Sequence, residues 1–243
     1  MINTIIFDFG DVFINLDKEA PVTEFKKLGL KEWHDDLKDL NEKFEKGQVS
    51  ELQFINGFQK HLPNASIEDI RSAWNTILLD FPLYRLEFLQ LLSKKYRLFL
   101  LSNTDAIHID TFQHKAGMTF YRDFYQCFEK VYSSFELGMR KPEPEIFNCL
   151  LKKHDLDPKR TLFVDDKKEN TDAALALGFK VWNLQVGKED VVHLFDKKII
   201  YKSSFWNLKT PTILLNLPQK NYYIKKKIAN SLVMHTQLNQ KTK

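Results

Sequence analysis

The chain has 243 residues, enough for one or two domains with a sizeable buried core. Hydrophobic residues make up 43% and charged residues 28%, which excludes wholesale disorder, and no apolar run approaches the roughly 20 residues that span a bilayer. Ten of the 36 basic residues and none of the 32 acidic residues lie after Asp196, so the net charge of +4 hides an acidic body with a basic tail. Because the positive charge lies in the tail, the net charge of the whole chain does not indicate nucleic-acid binding.

The N-terminal residues and the cysteines indicate the compartment. The stretch MINTIIFDFGDVF has no basic region, and Asp8 interrupts its apolar run. This pattern argues against a secretory signal and favours a cytoplasmic protein. Cys127 and Cys149 form no CxxC pair, so neither a structural disulfide nor a zinc site is indicated.

The first predicted element is a buried strand at residues 4–9, TIIFDF. Helical spacing follows, with segments near residues 20–28, 31–46, 50–61 and 66–79 and a further helix that begins at Pro82. Ser50 and Ser66 are helix-start signals, because Gln53 and Asp69 lie three residues after them. Aromatic residues are expected to form the core of this helical segment: Trp33, Phe44, Phe54 and Phe58.

Strands then return, with helices between them. Predicted strands cover residues 97–103, 130–134, 160–166 and 180–184, and predicted helices cover 142–154 and 168–179. Alternating strands and helices with nearly continuous apolar strands indicate a parallel sheet covered on both faces. The predicted fold is therefore α/β, with a doubly wound, Rossmann-like core (residues 1–16 and 86–196), an inserted all-helical cap (17–85) and a basic C-terminal extension (197–243).

Polar side chains follow three of the predicted strands. Asp8 lies at the end of the apolar run in strand 4–9, and Ser102 and Asn103 end strand 97–103. Asp165 and Asp166 end strand 160–166. Ligands bind at the carboxyl ends of strands in open parallel sheets, so these groups are expected to meet.

Together with Lys141, which precedes a predicted helix, these groups supply a carboxylate nucleophile, hydroxyl and amide donors, a cation and an acidic pair. This set suits phosphoryl transfer through an aspartyl-phosphate, with Mg²⁺ screening the repulsion between the nucleophile and the phosphate.

Four segments in order carry a family resemblance: FDFGDV (7–12), LSNT (101–104), GMRKPEPEIF (138–147) and FVDDKKEN (163–170). They resemble the four motifs of the haloacid dehalogenase superfamily. The chain is most similar to its capped sugar-phosphate phosphatases and to the phosphatase domain of soluble epoxide hydrolases. The resemblance covers residues 1 to about 196 and includes a helical cap in the same place.

The resemblance implies a role for each matching residue. Asp8 would be the nucleophile and a Mg²⁺ ligand, and the backbone carbonyl of Gly10 a second ligand. Ser102 and Asn103 would bind the phosphoryl oxygens. Lys141 would neutralise the transferring group. Asp166 would bind Mg²⁺ directly, with Asp165 in support through water or through Lys141.

Gly10 departs from the family pattern. Most phosphatases of the family carry a second Asp two residues after the nucleophile, acting as general acid and base, and Gly10 occupies that position. The nearest acid is Asp11. Because positions i and i+2 share a face of an extended segment and i+3 points away, Asp11 is a poor substitute unless the strand has already turned.

Each candidate has a simpler structural explanation. Asp8, Ser102 and the Asp165–Asp166 pair are all residue types that cap helices and turns. Lys141 alone would be a solvated surface cation. The joint occurrence of the acidic and polar residues at strand ends, together with the place of Lys141 in GMRKP, favours a functional site.

The sequence therefore predicts a Mg²⁺-dependent phosphatase acting on a small phosphorylated metabolite, a sugar phosphate among the candidates, with no specific nucleic acid and no membrane as partners. Two alternatives stay open. A haloacid dehalogenase uses the same Asp nucleophile without a metal, although three gathered carboxylates argue for a cation. A non-catalytic phosphate-binding module on the same fold is the other.

The sequence leaves the oligomeric state open. For the tail, binding to an acidic surface, docking as an ordered extension and a poorly ordered appendage are all compatible with its composition. A peripheral extension is favoured over a nucleic-acid module, since the tail carries no motif.

Overall fold

The structure, a computed structural model, describes residues 1–197 and 199–200. The strands are β1 (Thr4–Phe7), β2 (Arg97–Ser102), β3 (Lys130–Ser133), β4 (Thr161–Asp165) and β5 (Lys180–Asn183). The helices are α1 (Ala20–Lys27), α2 (Asp35–Glu45), α3 (Glu51–Gln59), α4 (Ile67–Asn75), α5 (Leu83–Leu92), α6 (Ala106–Ala116), α7 (Met118–Tyr125), α8 (Ser134–Leu137), α9 (Pro144–His154) and α10 (Lys168–Ala176). Short 3₁₀ helices cover Pro158–Arg160 and Val191–Lys197. Within the described residues, no helix combines the length and the apolar character that a membrane span requires.

The five strands form one parallel sheet in the order β3-β2-β1-β4-β5. Ile5 of β1 lies opposite Leu98 of β2 and Leu162 of β4. Side chains alternate along each strand, so Ile5 and its register partners pack into a cluster on one face while Ile6 joins a second cluster on the other. Burial on both faces explains the continuous apolar strands. The predicted doubly wound α/β fold is confirmed.

Helices α1 to α4 form a layer with an apolar cluster of their own. The cluster includes Phe25, Phe44, Phe54, Phe58 and Trp74, and Trp33 packs against it. Two of these helices begin with capping boxes, at Ser50 and Ser66, as the sequence predicts. The extent of a separate cap domain over residues 17–85 stays a prediction.

Two chain segments connect the helical layer to the sheet, and they run side by side. Leu16 and Leu78 form an antiparallel bridge. Asn15 donates its backbone N–H to Asp80 at 2.9 Å, and Leu79 donates back to Asn15 at 3.0 Å. This pairing requires extended backbone, which explains why α4 ends at Asn75, earlier than the predicted helix over 66–79.

The sequence pattern leaves α6 and α7 unassigned. Their buried hydrophobic residues are Ile107 and Phe112 in α6 and Phe124 in α7. In α7, Phe120, Tyr121 and Tyr125 also pack against the core, so this helix has a helical spacing of apolar residues that the sequence analysis leaves unassigned.

The last described residues pack against the sheet. Ile200 is 3% exposed and belongs to the same cluster as Val191 and Leu194, and Lys197 forms an ion pair with Glu189. The apolar core on this face of the sheet therefore extends beyond Asp196 to Ile200. The rest of the predicted extension, residue 198 and residues 201–243, lies outside the described residues.

We expect a chain ending at Asp196 to be less stable than one ending at Ile200, by about 2–3 kcal/mol, because it loses the burial of the Ile200 side chain. Urea unfolding of the two truncated chains measures the difference. Ile200→Ala in the longer chain measures the contribution of the Ile200 side chain to stability separately from the contributions of the backbone and of Lys197. Equal unfolding midpoints for the two chains would contradict the packing role of Ile200.

Candidate active site

The carboxyl ends of β1, β2 and β4 lie side by side in the middle of the sheet. The chain runs outward from β1 through β2 to β3 and then crosses back to β4 on the other side of β1. Doubly wound sheets open a crevice where the strand order reverses in this way. Asp8 follows β1 and donates its backbone N–H to Val164 at 2.8 Å. Ser102 ends β2 and Asp165 ends β4. The strand order thus brings together the groups that the sequence predicted to meet.

Lys141 is the centre of this arrangement. Its side chain is 1% exposed, and its Nζ lies 2.6 Å from Asp8 Oδ1 and 2.8 Å from Asp165 Oδ2. Burial alone would lower the pKa of Lys141, but Asp165 and Asp8 outweigh it and the pKa is raised. The ammonium is therefore held in its charged form.

Asp8 carries the opposite perturbation. Burial raises the pKa of its carboxyl to about 7, with Lys141 acting against the rise and Asp165 adding to it. Among the described residues, Lys141 is the one donor to this carboxylate. An ionised Asp8 at neutral pH is therefore favoured by a further cation in the site.

Asp165 is held from several directions. Its Oδ1 accepts the backbone N–H of Lys167 at 2.8 Å, and the Asn170 amide donates to both carboxylate oxygens at 3.1 and 2.9 Å. With Lys141 on Oδ2, both oxygens are engaged. This geometry suits a residue that positions Lys141.

Asn103 fixes the backbone of Lys141. Its Nδ2 donates to the Lys141 carbonyl at 2.8 Å, and its Oδ1 accepts the Lys141 N–H at 2.9 Å. These two bonds leave one Nδ2–H and the backbone N–H of Asn103 to donate to a phosphoryl oxygen. Within the part of the chain that the structure describes, the Ser102 hydroxyl makes only a 3.5 Å contact, with the Asn103 carbonyl.

The donor set fits a magnesium ion. Asp8, Asp165 and Asp166 each offer a carboxylate oxygen, and these oxygens lie within 4.8 Å of one another. Oxygen donors are what Mg²⁺ prefers, and it usually keeps several waters. The buried Oδ1 of Asn170, beside this group, accepts no hydrogen bond from any described residue and suits such a water.

Lys18 is a functional candidate that the sequence did not reveal. Its Nζ lies 2.8 Å from Asp11 Oδ2 and 2.9 Å from Asp166 Oδ2. Asp11 has a positive φ of 55° and also accepts the Leu16 N–H at 3.1 Å. The extended strand has therefore ended in a turn by Asp11. The Asp11 carboxylate, however, is already bound by the Leu16 N–H and the Lys18 ammonium.

A cavity of about 220 Å³ lies over these groups. Asp8, Ser102, Asn103, Lys141 and Asp166 line its sheet side, and the helical layer contributes Pro21, Asn41, Glu45 and Trp74. Its volume is below the roughly 300–1,000 Å³ of pockets for drug-sized ligands, so it suits a small metabolite. No motif marks the lining residues from the helical layer.

Trp74, Asp105 and His108 join the two layers beside the cavity. The Trp74 indole Nε1 donates to Asp105 Oδ2 at 3.0 Å, and Asp105 also lies 3.0 Å from His108 Nδ1. His108 Nε2 is 3.2 Å from the Trp74 carbonyl, and the two rings stack 5.2 Å apart. Both imidazole nitrogens therefore face acceptors, which suits the doubly protonated ring.

Comparisons with known proteins agree on one family. A profile described as haloacid dehalogenase-like hydrolase matches residues 2–178. A D-ribitol-5-phosphate phosphatase of Bacteroides thetaiotaomicron is 30% identical over 199 residues, which cover 78% of this chain and 95% of that protein.

Two solved structures are also similar. A HAD family enzyme of Bacteroides thetaiotaomicron, in complex with magnesium and inorganic phosphate, superposes with a TM-score of 0.71 at 36% identity, covering 80% of this chain and all of the other. A HAD-like family hydrolase of Porphyromonas gingivalis gives a TM-score of 0.72 at 27% identity, covering 83% of this chain and 100% of the other.

We expect His108→Gln to destabilise the protein on the order of 3 kcal/mol at pH 6 and by less at pH 9. Burial lowers the pKa of His108, but Asp105 outweighs it, so the folded pKa is raised. The stabilisation is therefore complete below the unfolded pKa of about 6.5 and is lost as pH rises through the folded value. Urea unfolding at both pH values tests this, with the exposed His114→Gln on the same helix as control. A pH-independent loss would contradict an ionic role for His108.

Proposed function

This chain belongs to the haloacid dehalogenase-like hydrolases, and we propose that it is a Mg²⁺-dependent phosphatase of small phosphorylated metabolites, with a sugar or polyol phosphate as substrate. The observation that carries the proposal is the buried Lys141 ammonium between Asp8 and Asp165, beside the Asp166 carboxylate. Phosphoryl transfer requires a positioned nucleophile and neutralisation of charge. A carboxylate held against a cation, with oxygen ligands for a metal beside it, supplies both.

The proposed metal ligands are Asp8, the backbone carbonyl of Gly10 and Asp166. Asp165 supports the site through Lys141, since its oxygens are already engaged. When bound, the ion would neutralise the charge of the phosphate as the nucleophile approaches. The Lys18 ammonium lies on Asp166 and would have to share or leave that carboxylate.

In the proposed reaction, an Asp8 carboxylate oxygen attacks phosphorus and the bond from phosphorus to the alcohol oxygen breaks. Lys141 stabilises the negative charge on the transferring group and holds Asp8 in place. Water then attacks the aspartyl-phosphate, which releases inorganic phosphate and restores the Asp8 carboxylate. Ser102 and the Asn103 N–H are proposed to hold the phosphoryl oxygens meanwhile.

The helical layer is proposed to act as a cap that encloses the leaving group and limits access of water. A cytoplasmic location is also part of the proposal. It is supported by the two cysteines, Cys127 and Cys149, which are both free.

We expect Asp8→Asn to reduce phosphate release by several orders of magnitude while the protein stays folded, because an amide cannot form the acyl-phosphate. The assay measures phosphate release from sugar phosphates with Mg²⁺ and with EDTA. Asp166→Ala should likewise lose activity, together with its response to Mg²⁺. Asp123→Asn, a remote change of the same kind, is the control.

The same assay separates the alternatives. Chloride release from 2-chloropropionate without phosphatase activity would show a dehalogenase. Binding of phosphate without turnover of any ester would show a binding module. Asp8→Asn retaining activity within several-fold of the native protein would contradict the nucleophile assignment.

Gly10 predicts a strong dependence on the leaving group. Protonation of the leaving group by a general acid typically raises the reaction rate by about 10²–10⁴-fold. Gly10 leaves the usual position of that acid without a side chain. We expect aryl phosphates, and an anomeric phosphate among sugars, to be hydrolysed much faster than simple alkyl phosphates, whose leaving oxygens are more basic. The aryl-to-alkyl ratio of kcat/KM measures this.

Gly10→Asp should lower that ratio, but a Cβ at residue 10 would lie 2.7 Å from Leu16 Cδ1. The variant is therefore best made with Leu16→Ala, and Gly10→Ala with Leu16→Ala is its matched control. A ratio near one in the native enzyme would mean that another group already protonates the leaving alcohol.

A further inference from the structure

Two polar side chains of α2 line the cavity from the helical layer. Asn41 and Glu45 are one helical turn apart, so they project from the same face of the helix. Leu37 and Phe44 of α2 pack instead into the apolar cluster of the helical layer. The helix therefore presents an apolar face to its neighbours and a polar pair to the cavity.

The two polar groups retain capacity to accept hydrogen bonds. Asn41 Oδ1 is buried, and no described residue donates to it. Glu45 Oε2 lies 2.9 Å from an Arg140 guanidinium nitrogen, an ion pair without hydrogen-bond geometry. Arg140 directly precedes Lys141, so the pair fixes Glu45 relative to the reacting groups. A buried acceptor without a donor is destabilising, and a ligand donor would remove that penalty.

The remaining wall on this side is apolar except for His108, whose ring nitrogens face Asp105 and the Trp74 carbonyl. Trp74 has its indole N–H committed to Asp105, so it offers only its ring to the cavity. Pro21, Ile77, Leu78 and Ile109 complete this wall. A sugar or polyol matches such a surface, because it carries hydroxyl donors and also C–H groups that pack on apolar side chains. A hydrocarbon chain would leave Asn41 and Glu45 without donors.

We propose that Asn41 and Glu45 bind hydroxyl groups of the leaving alcohol and so select hydroxylated phosphate esters over apolar ones. The inference rests on the proposed phosphatase function and adds the residues that recognise the alcohol part of the substrate. Asn41 Oδ1 and the Glu45 carboxylate accept hydrogen bonds from hydroxyls, while Asp8 and Lys141 engage the phosphate end. Substrate selection and chemistry thus lie on opposite walls of one cavity.

The test compares ribitol 5-phosphate with pentyl phosphate, which has the same chain length without hydroxyls, and with p-nitrophenyl phosphate. Asn41→Leu should lower kcat/KM for ribitol 5-phosphate by about 10–100-fold, while kcat/KM for the other two esters changes by less than about threefold. Asn56→Leu, the same change on the exposed face of α3, is the control. Glu45→Gln should reduce the ribitol-to-pentyl ratio by a smaller factor, because the amide oxygen still accepts.

A structural role for Asn41 would lower kcat/KM for all three esters alike, and that result would overturn the inference. Asn41→Ser supplies a smaller substitution if the leucine unfolds the layer. Binding is measured independently of turnover by calorimetry with Mg²⁺ in Asp8→Asn, with and without Asn41→Leu. Loss of ribitol 5-phosphate binding alone supports the inference, and an unchanged ratio between the two alkyl esters contradicts it. Absence of hydrolysis in the native protein would instead refute the proposed function.

Discussion

The buried ammonium of Lys141 is the interaction on which the rest of the site depends. A charge that is 1% exposed persists only when it is paired and hydrogen-bonded, since removing it from water costs several kcal/mol. Asp8 and Asp165 meet that requirement from two neighbouring strands, and Asn103 anchors the Lys141 backbone from a third. The order of β2, β1 and β4 is therefore also the condition for burying this lysine.

A consequence is an imbalance of charge in the ion pairs that the described residues form at this site. Asp8, Asp11, Asp165 and Asp166 face Lys141 and Lys18, so the carboxylates outnumber the ammonium groups. Burial and the nearby acids raise the pKa of Asp8, which disfavours its ionised form. A divalent cation would correct both the charge and the pKa. In the proposed mechanism, metal binding would therefore favour the ionised Asp8 that attacks phosphorus.

The sequence predicted the sheet and the groups at its edge because both depend on local patterns. Apolar strands ending in polar residues are visible without coordinates, and parallel order brings their ends together. The role of Asn103 was not visible, since it depends on contact with a loop far along the chain. Lys18, Asn41 and His108 were missed for the same reason, because their partners come from other elements and no motif marks them.

The Gly10 position shows how packing limits chemistry at this site. A Cβ at residue 10 would lie 2.7 Å from Leu16 Cδ1, so the end of the Leu16 side chain must shift before residue 10 can carry an acid. Asp11 does not replace it, because Leu16 and Lys18 hold its carboxylate. His108 lines the cavity, but both of its ring nitrogens face acceptors on Asp105 and Trp74. In the proposed reaction, with no available acid among these neighbours, the basicity of the leaving alkoxide would set the rate of the first step. Binding of its hydroxyls would then be the route by which the helical layer influences the rate.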